Sequence, residues 1–278
     1  MTAALPTGKH SEQPVVIFDS GIGGLTVLRE VRFKLPFDRL VYVFDDAGFP
    51  YGDWDEQPLL DRIVALIGKV IEAHDPKAII IACNTAFTLA GEALRKTYPN
   101  VPFVGTVPAI KPAAARTKSG LISVLATPGT VQRAYTRDLI EAHASGCSVT
   151  LVGSQKLAQL AEGHLRGQQV TDEALLAEIE GCFVASDGRR TDIVVLACTH
   201  YPFLTNRLRE VAPWPVDWID PAEAIARQLG RVVSASSAPE QGAEINSDEV
   251  MCSSGNLSGE SLSLMRGFGL VFTGQLPT

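Results

Sequence analysis

Ile79-Ile-Ile-Ala-Cys-Asn-Thr85 is matched later in the chain by Ile193-Val-Val-Leu-Ala-Cys-Thr-His200. In each stretch an apolar run ends in Ala-Cys and then turns polar at once. A run that is apolar at every position is typical of a parallel strand covered on both faces. Open α/β sheets bind ligands at the carboxyl ends of such strands. We therefore expect Cys83 and Cys198 at equivalent strand ends, facing one substrate from opposite sides.

A buried free cysteine is usually only a small apolar side chain, so a reactive thiol needs further support. Packing does not require Asn84-Thr85 or Thr199-His200 directly after each thiol. The repeated context therefore favours reactive thiols at both positions. Cys182, in contrast, is predicted on the apolar face of a helix, and the other two cysteines have no chemical neighbours in the sequence.

Strand and helix patterns alternate along the chain, which predicts an α/β fold with mostly parallel sheets. The repeated stretches lie about one domain length apart. We expect two similar α/β domains, residues 1–110 completed by 215–278 and residues 111–214, with the active site in the cleft between them. The predicted strands are 15–18, 40–44, 78–82, 103–105, 121–125, 149–152, 193–197 and 270–272. The predicted helices are 25–31, 59–71, 86–94, 131–142 and 157–165, with further helices after Thr171 and Asp220.

Composition excludes several classes of protein. The 278 residues are 46% hydrophobic and carry a formal net charge of -7, whereas a general nucleic-acid binder has a basic excess. Apolar runs are far shorter than the ~20 residues that span a bilayer, and the N-terminus lacks the pattern of a signal peptide. Five scattered cysteines do not form a disulfide framework. We therefore expect a cytoplasmic protein with no membrane or nucleic-acid partner.

No metal or cofactor motif is recognisable. Cys198 and His200 are only two residues apart, and no Cys-x-x-Cys occurs. The glycine-rich loop Phe18–Thr26 has the wrong spacing for a dinucleotide site and lacks the lysine of a phosphate-binding loop. Between a strand and a helix, it instead predicts a cradle for a small carboxylate. Asp19 begins this loop, where a helix cap is the simpler alternative.

The loops and both cysteine stretches together resemble the cofactor-independent glutamate racemases of bacterial cell-wall synthesis. The resemblance runs in matching order from about Val15 to Ala226. The matching segments are Phe18-Asp-Ser-Gly-Ile-Gly-Gly-Leu-Thr-Val-Leu28, Pro50-Tyr-Gly52, Ala82-Cys-Asn-Thr-Ala86, Val107-Pro-Ala-Ile-Lys-Pro112, the Thr127/Thr130 turn and Ala197-Cys-Thr-His-Tyr-Pro-Phe203.

This resemblance implies that Cys83 and Cys198 face opposite sides of the α-carbon of glutamate. One thiolate removes the α-proton and the other thiol supplies a proton to the far face, with Cys83 acting on the D-isomer and Cys198 on the L-isomer. Asp19 would assist Cys83, and His200 and Glu162 would assist Cys198. The resemblance places substrate-binding groups at Asp19, Ser20, Pro50, Tyr51, Gly52, Asn84, Thr85, Thr127, Thr130, Thr199 and His200. It implies no cofactor and no metal, and a homodimer is compatible with it.

The chain departs from the family pattern at three places. The usual Gly-Asp-Thr-Ala-Arg is Phe44-Asp-Asp-Ala-Gly48, the usual Cys-Pro is Ser154-Gln155, and the usual Asp-Ser-Gly/Ala is Asp220-Pro-Ala222. These changes leave the pocket shape open, although they spare every proton-transfer residue.

Four alternatives stay open at this point. A racemase for aspartate or hydantoins uses the same two thiols. A non-catalytic protein that binds a partner would be expected to lose a thiol or a helper residue. A thiol hydrolase, or an enzyme related to the arylmalonate decarboxylases, leaves the second cysteine unexplained.

Overall fold

The computed structural model describes residues 13–236 and 247–276 and has two main parallel sheets. Its strands are β1 (Val15–Asp19), β2 (Leu40–Phe44), β3 (Ala78–Ile81), β4 (Phe103–Gly105), β5 (Leu121–Ala126), β6 (Ser148–Gly153), β7 (Ala185–Ser186), β8 (Arg189–Arg190), β9 (Ile193–Ala197), β10 (Asp217–Ile219), β11 (Asp248–Cys252) and β12 (Leu270–Gln275). A six-stranded sheet has the order β12-β11-β2-β1-β3-β4, and a four-stranded sheet has the order β10-β9-β5-β6. All pairings in both sheets are parallel, which confirms the predicted fold class.

The helices connect these strands and cover both sheets. They are α1 (Leu25–Lys34), α2 (Glu56–His74), α3 (Asn84–Thr97), α4 (Ile110–Arg116), α5 (Pro128–Gln132), α6 (Ala134–His143), α7 (Leu157–Leu165), α8 (Asp172–Ile179), α9 (Thr205–Val211), α10 (Ala222–Val232) and α11 (Gly259–Gly267). Within the described ranges, none of them is long and apolar enough to cross a membrane.

Both repeated stretches are apolar throughout because each strand lies between two cores. In β3, Ile80 packs in the core that contains α1 and α10, whereas Ile79 and Ile81 pack in the core that contains α2 and α3. In β9, Val194 and Val195 alternate in the same way between two cores of the four-stranded sheet. Fully burying such a side chain contributes about 1.5–3 kcal/mol. The polar residues after each strand lie just beyond this apolar layer.

The division of strands between the sheets bears on the expected domains. Residues 15–105 and 248–275 supply the six-stranded sheet, and residues 121–219 supply the four-stranded one. The expected boundary at 214/215 assigns Asp217–Ile219 to the first domain, but this strand pairs with β9. We propose that the second domain extends to about residue 219, after which α10 packs on α1.

Two helix predictions needed correction. The helix expected over 131–142 is two helices, because Arg133 is extended, with φ −69° and ψ 139°. Thr127 caps the first of them by accepting a hydrogen bond from the backbone of Thr130. Cys182 lies beyond the end of α8 in a 3₁₀ turn, although it is buried against Leu175 as expected.

Candidate active site

A small cavity lies where the carboxyl ends of the two sheets face each other. Cys83 follows β3 of one sheet and Cys198 follows β9 of the other, so the two thiols reach the cavity from different sheets. Its lining residues are Ser20, Phe49, Pro50, Tyr51, Gly52, Cys83, Asn84, Thr85, Thr127, Ala158, Cys198, Thr199 and His200. Most residues expected at the site therefore converge on one cavity. Asp19, Thr130 and Glu162 lie behind this lining, and sequence reasoning missed Phe49 and Ala158.

Cys83 lies at the N-terminus of α3 and is 6% exposed. Its Sγ donates to Ser20 Oγ at 3.6 Å and accepts from the backbone N–H of Ala86 at 3.5 Å. Burial raises the pKa of the Cys83 thiol well above its usual range, and the nearby negative charge of Asp19 raises it further. The N–H of Ala86 lowers it in part, so Cys83 is held mainly as the neutral thiol.

Asp19 is fully buried at the end of β1. Its Oδ1 accepts from the backbone of Ser20 at 2.8 Å, and its Oδ2 accepts from Gly24 at 2.5 Å and from the Thr199 hydroxyl at 3.5 Å. Burial raises the pKa of Asp19 to about 6, although the charge of His200 and the two N–H donors oppose this shift. Asp19 thus accepts hydrogen bonds from the loop before α1, but the simpler alternative of a helix cap is wrong, because Gly24 is the N-cap of α1. Its charge acts on the Cys83 thiol and on His200.

Cys198 has a separate set of neighbours. The Sγ of Cys198 lies 3.8 Å from Nδ1 of His200, and Nε2 of the same ring lies 3.0 Å from Oε1 of Glu162. Burial alone would lower the pKa of His200, but its hydrogen bonds to Cys198 and Glu162 outweigh burial and raise that pKa well above its usual value. Cys198, His200 and Glu162 thus form a row of hydrogen-bonded side chains. This row favours an imidazolium beside the Cys198 sulfur, which is the arrangement that stabilises a thiolate.

Glu162 is held as a carboxylate on α7. Burial alone would raise its pKa, but the hydrogen bond from His200 and the charges of His200 and Arg166 lower it overall. Arg166, one helical turn later, lies 2.5 Å from Oε2, and the backbone N–H of Ile22 donates to Oε1 at 3.1 Å. Sequence reasoning missed Arg166, and its four-residue spacing from Glu162 was the signal that could have identified it.

The glycine-rich loop makes room for this row of side chains. A Cβ on Gly21 would lie 2.2 Å from Oε1 of Glu162, and a Cβ on Gly23 would lie 2.4 Å from Nδ1 of His200. The loop N–H groups of Ile22 and Gly24 donate to Glu162 and Asp19. The small-carboxylate cradle expected from the sequence therefore binds two carboxylates of the protein itself.

Polar groups from both sheets meet at the other side of the cavity. The hydroxyl oxygens of Thr85 and Thr127 are 2.8 Å apart, and Thr130 lies 3.1 Å from Thr127. Among the described residues, both polar atoms of the Asn84 side chain are buried without a hydrogen-bond partner. Buried polar groups are normally paired, so an unpaired amide that lines a cavity indicates a position for polar ligand atoms.

Two thiols that reach one cavity from different sheets are the arrangement expected of an enzyme that exchanges protons at a single carbon. Comparison with known proteins agrees with this class. The family model for Asp/Glu/hydantoin racemases matches residues 35–229. The chain is 60% identical over 259 residues to the glutamate racemase of Sinorhizobium fredii, which covers 93% of this chain and 96% of that protein. It is 57% identical over 270 residues to the glutamate racemase of Brucella anthropi, covering 97% and 96%.

A solved structure extends the likeness to the fold. Escherichia coli glutamate racemase, in complex with L-glutamate and the activator UDP-MurNAc-Ala, superposes with a TM-score of 0.84 at 35% identity and covers 95% of this chain and 98% of that one. The chain therefore belongs to the Asp/Glu/hydantoin racemase family. It is an amino-acid racemase, as the sequence predicted.

Proposed function

We propose that this racemase interconverts L-glutamate and D-glutamate without a cofactor, using Cys83 and Cys198 as the two proton-transfer groups. One observation carries the proposal: the two thiols line a single cavity from the ends of two different sheets. Racemisation needs proton removal on one face of the α-carbon and proton delivery on the other. Two groups that approach from opposite sides supply both steps without moving the substrate.

The proton balance closes over one turnover. A thiolate on one side takes the α-proton and becomes a thiol, while the thiol on the other side gives its proton to the far face and becomes a thiolate. The enzyme therefore ends with its thiol and thiolate exchanged, ready for the opposite isomer. On the Cys198 side, hydrogen bonds raise the pKa of His200, so that imidazole can hold a proton beside the Cys198 sulfur, and on the Cys83 side, burial and the charge of Asp19 favour the neutral thiol.

The polar lining supports binding of a small amino acid. The free amide of Asn84 and the hydroxyls of Thr85, Thr127 and Thr199 offer donors and acceptors to an α-amino group and carboxylates. Ser20 and the Pro50–Gly52 segment close the other side of the cavity. Thr130 lies behind the cavity lining, where its hydroxyl is hydrogen-bonded to that of Thr127 and holds it in place.

The substrate class follows from the relatives. Both curated relatives are glutamate racemases, and the E. coli structure binds L-glutamate, which favours glutamate over aspartate or hydantoins. In this function the enzyme supplies D-glutamate for peptidoglycan synthesis, and we propose that it does so in the cytoplasm. The homodimer that the sequence permits stays a prediction, which sedimentation of the purified chain tests.

The direct test is incubation of the purified chain with L-glutamate alone. We expect optical rotation to fall to zero, with no metal and no pyridoxal phosphate added, and the activity to survive exhaustive chelation. L-Aspartate, treated identically, should keep its rotation on the same time scale. A requirement for pyridoxal phosphate, loss of activity on chelation, or a preference for aspartate would each contradict the proposal.

Gly23→Ala should lower kcat about 10-fold or more, because the added methyl displaces the His200 ring and a misplaced catalytic group can cost up to ~10²-fold. The Cβ position lies 2.4 Å from Nδ1 of His200, whereas a Cβ on Gly146 has no heavy atom within 4 Å. Gly146→Ala is therefore the matched control and should keep wild-type kcat. Initial rates from both enantiomers measure the effect, and equal rates for the two alanine variants would refute the steric argument.

A further inference from the structure

The space that a side chain at position 48 would need is occupied by other residues, so Gly48 has no room for a Cβ. A Cβ built there would lie 2.4 Å from Oδ2 of Asp45 and 2.9 Å from Nε of Arg62. Gly48 stands where the resembling family commonly has an arginine in this loop. Here a guanidinium occupies the same neighbourhood, but it comes from helix α2.

Arg62 makes a two-pronged ion pair with a carboxylate that solvent does not reach. Its Nε lies 2.5 Å from Oδ2 of Asp45 and its second terminal nitrogen lies 2.5 Å from Oδ1. The side chain of Asp45 is 0% exposed, while that of Arg62 is 30% exposed. The outer face of the guanidinium lies over the Trp54 ring, 5.6 Å from its centroid. Arg62 is thus fixed on both sides, unlike a mobile surface arginine.

Asp45 connects Arg62 to a residue that lines the substrate cavity. The buried hydroxyl of Tyr51 donates to Oδ2 of Asp45 at 2.7 Å. Burial alone would raise the pKa of Asp45, but the hydrogen bonds from Arg62 and other donors lower it, so Asp45 remains an acceptor for Tyr51. Tyr51 itself lines the cavity, and Asp45 links Tyr51 to Arg62.

The segment around Tyr51 contacts both the cavity and the His200 side chain. Pro50, Tyr51 and Gly52 line the cavity, and the ring of Phe49 packs against His200 with centroids 5.3 Å apart. A shift of Tyr51 therefore moves one wall of the substrate site. We expect movement of this wall to weaken substrate binding more than it slows proton transfer, because neither thiol belongs to the segment.

We infer that Arg62 is a positioning residue for the substrate: through Asp45 it holds Tyr51, and with it the Phe49–Gly52 wall, in the geometry that binds glutamate. This inference rests on the proposed function. Loss of Arg62 leaves the Asp45 charge buried and uncompensated, a situation that proteins relieve by protonation or by movement. Either response breaks or redirects the hydrogen bond from Tyr51.

The test compares KM with kcat in purified variants. Arg62→Met should raise KM for both glutamate isomers about 10-fold, below the ~10²-fold cost of a misplaced reacting group, and change kcat less than about twofold. Arg62→Lys should recover part of the KM, because a cation returns without the two-pronged geometry. Gly48→Ala keeps both charges but pushes on Asp45 and Arg62, so its KM should rise as well.

Arg227→Met is the matched control, since Arg227 makes an exposed ion pair with Glu223 on α10. It should leave KM unchanged, as exposed pairs contribute little. An unchanged KM in both Arg62→Met and Gly48→Ala would overturn the inference, as would a fall in kcat with KM unchanged. Wild-type enzyme assayed in parallel separates the two proposals: absence of glutamate racemisation there defeats the proposed function itself.

Discussion

Cys83→Ser and Cys198→Ser are each expected to slow glutamate racemisation by at least ~10²–10⁴-fold, the contribution typical of one general acid or base. A serine hydroxyl does not ionise near neutral pH, whereas a free thiol has a pKa of ~8.5. Neither variant should unfold, because serine is close to cysteine in size and both positions border the cavity. Loss of optical rotation, followed from each enantiomer, measures the effect.

The same variants test whether the thiols act on separate faces. Removal of the α-proton alone suffices to eliminate chloride from a β-chloro amino acid, so one thiol should still catalyse this reaction. We expect Cys198→Ser to eliminate chloride from the D-isomer only, and Cys83→Ser from the L-isomer only. Cys147→Ser, a half-buried thiol outside the cavity, should behave as wild type. Elimination from both isomers in either single variant contradicts the opposed-face arrangement.

The sequence predicted the fold where local pattern decides structure. The central strands were recognisable because both of their faces are buried, so nearly every residue is apolar. Strand β11 was missed because its sequence begins Asp-Glu, and these acids are compensated by Arg32 and Arg39, which are distant in sequence. No local pattern predicts that pairing. The break at Arg133 was missed for a similar reason, since nothing around it excludes a continuous helix.

The residues of the site also separate into those that local sequence pattern predicts and those that depend on distant contacts. Cys83, Cys198, Asp19 and His200 were predictable because each stands at the end of an apolar strand, where parallel sheets gather polar residues. The space that Gly21 and Gly23 leave was not predictable, because it exists only once α7 brings Glu162 against the loop. Arg62 was missed because nothing in the sequence around its partner, Asp45, indicates that this carboxylate is completely buried in the fold.

The two thiols differ in their surroundings, and this difference has a kinetic consequence. Burial and the negative charge of Asp19 raise the pKa of Cys83, while the imidazole of His200 lies beside Cys198 and is hydrogen-bonded to Glu162. We therefore expect each helper to act mainly on one thiol. Because the reaction has an equilibrium constant of one between enantiomers, any variant must lower kcat/KM equally in both directions. A helper specific to one thiol can show its preference only in kcat and KM taken separately.

Asp19→Asn and His200→Asn are therefore expected to slow turnover by up to ~10²–10⁴-fold, with opposite directional patterns. If Asp19 serves Cys83, its variant should lose more kcat in one direction, and His200→Asn should lose more in the other. Full progress curves from pure D-glutamate and pure L-glutamate give kcat and KM for each direction. Thermal unfolding of both variants shows whether the folded state persists. The same directional pattern in both variants, or rates equal to wild type, would show that one helper does not serve each thiol.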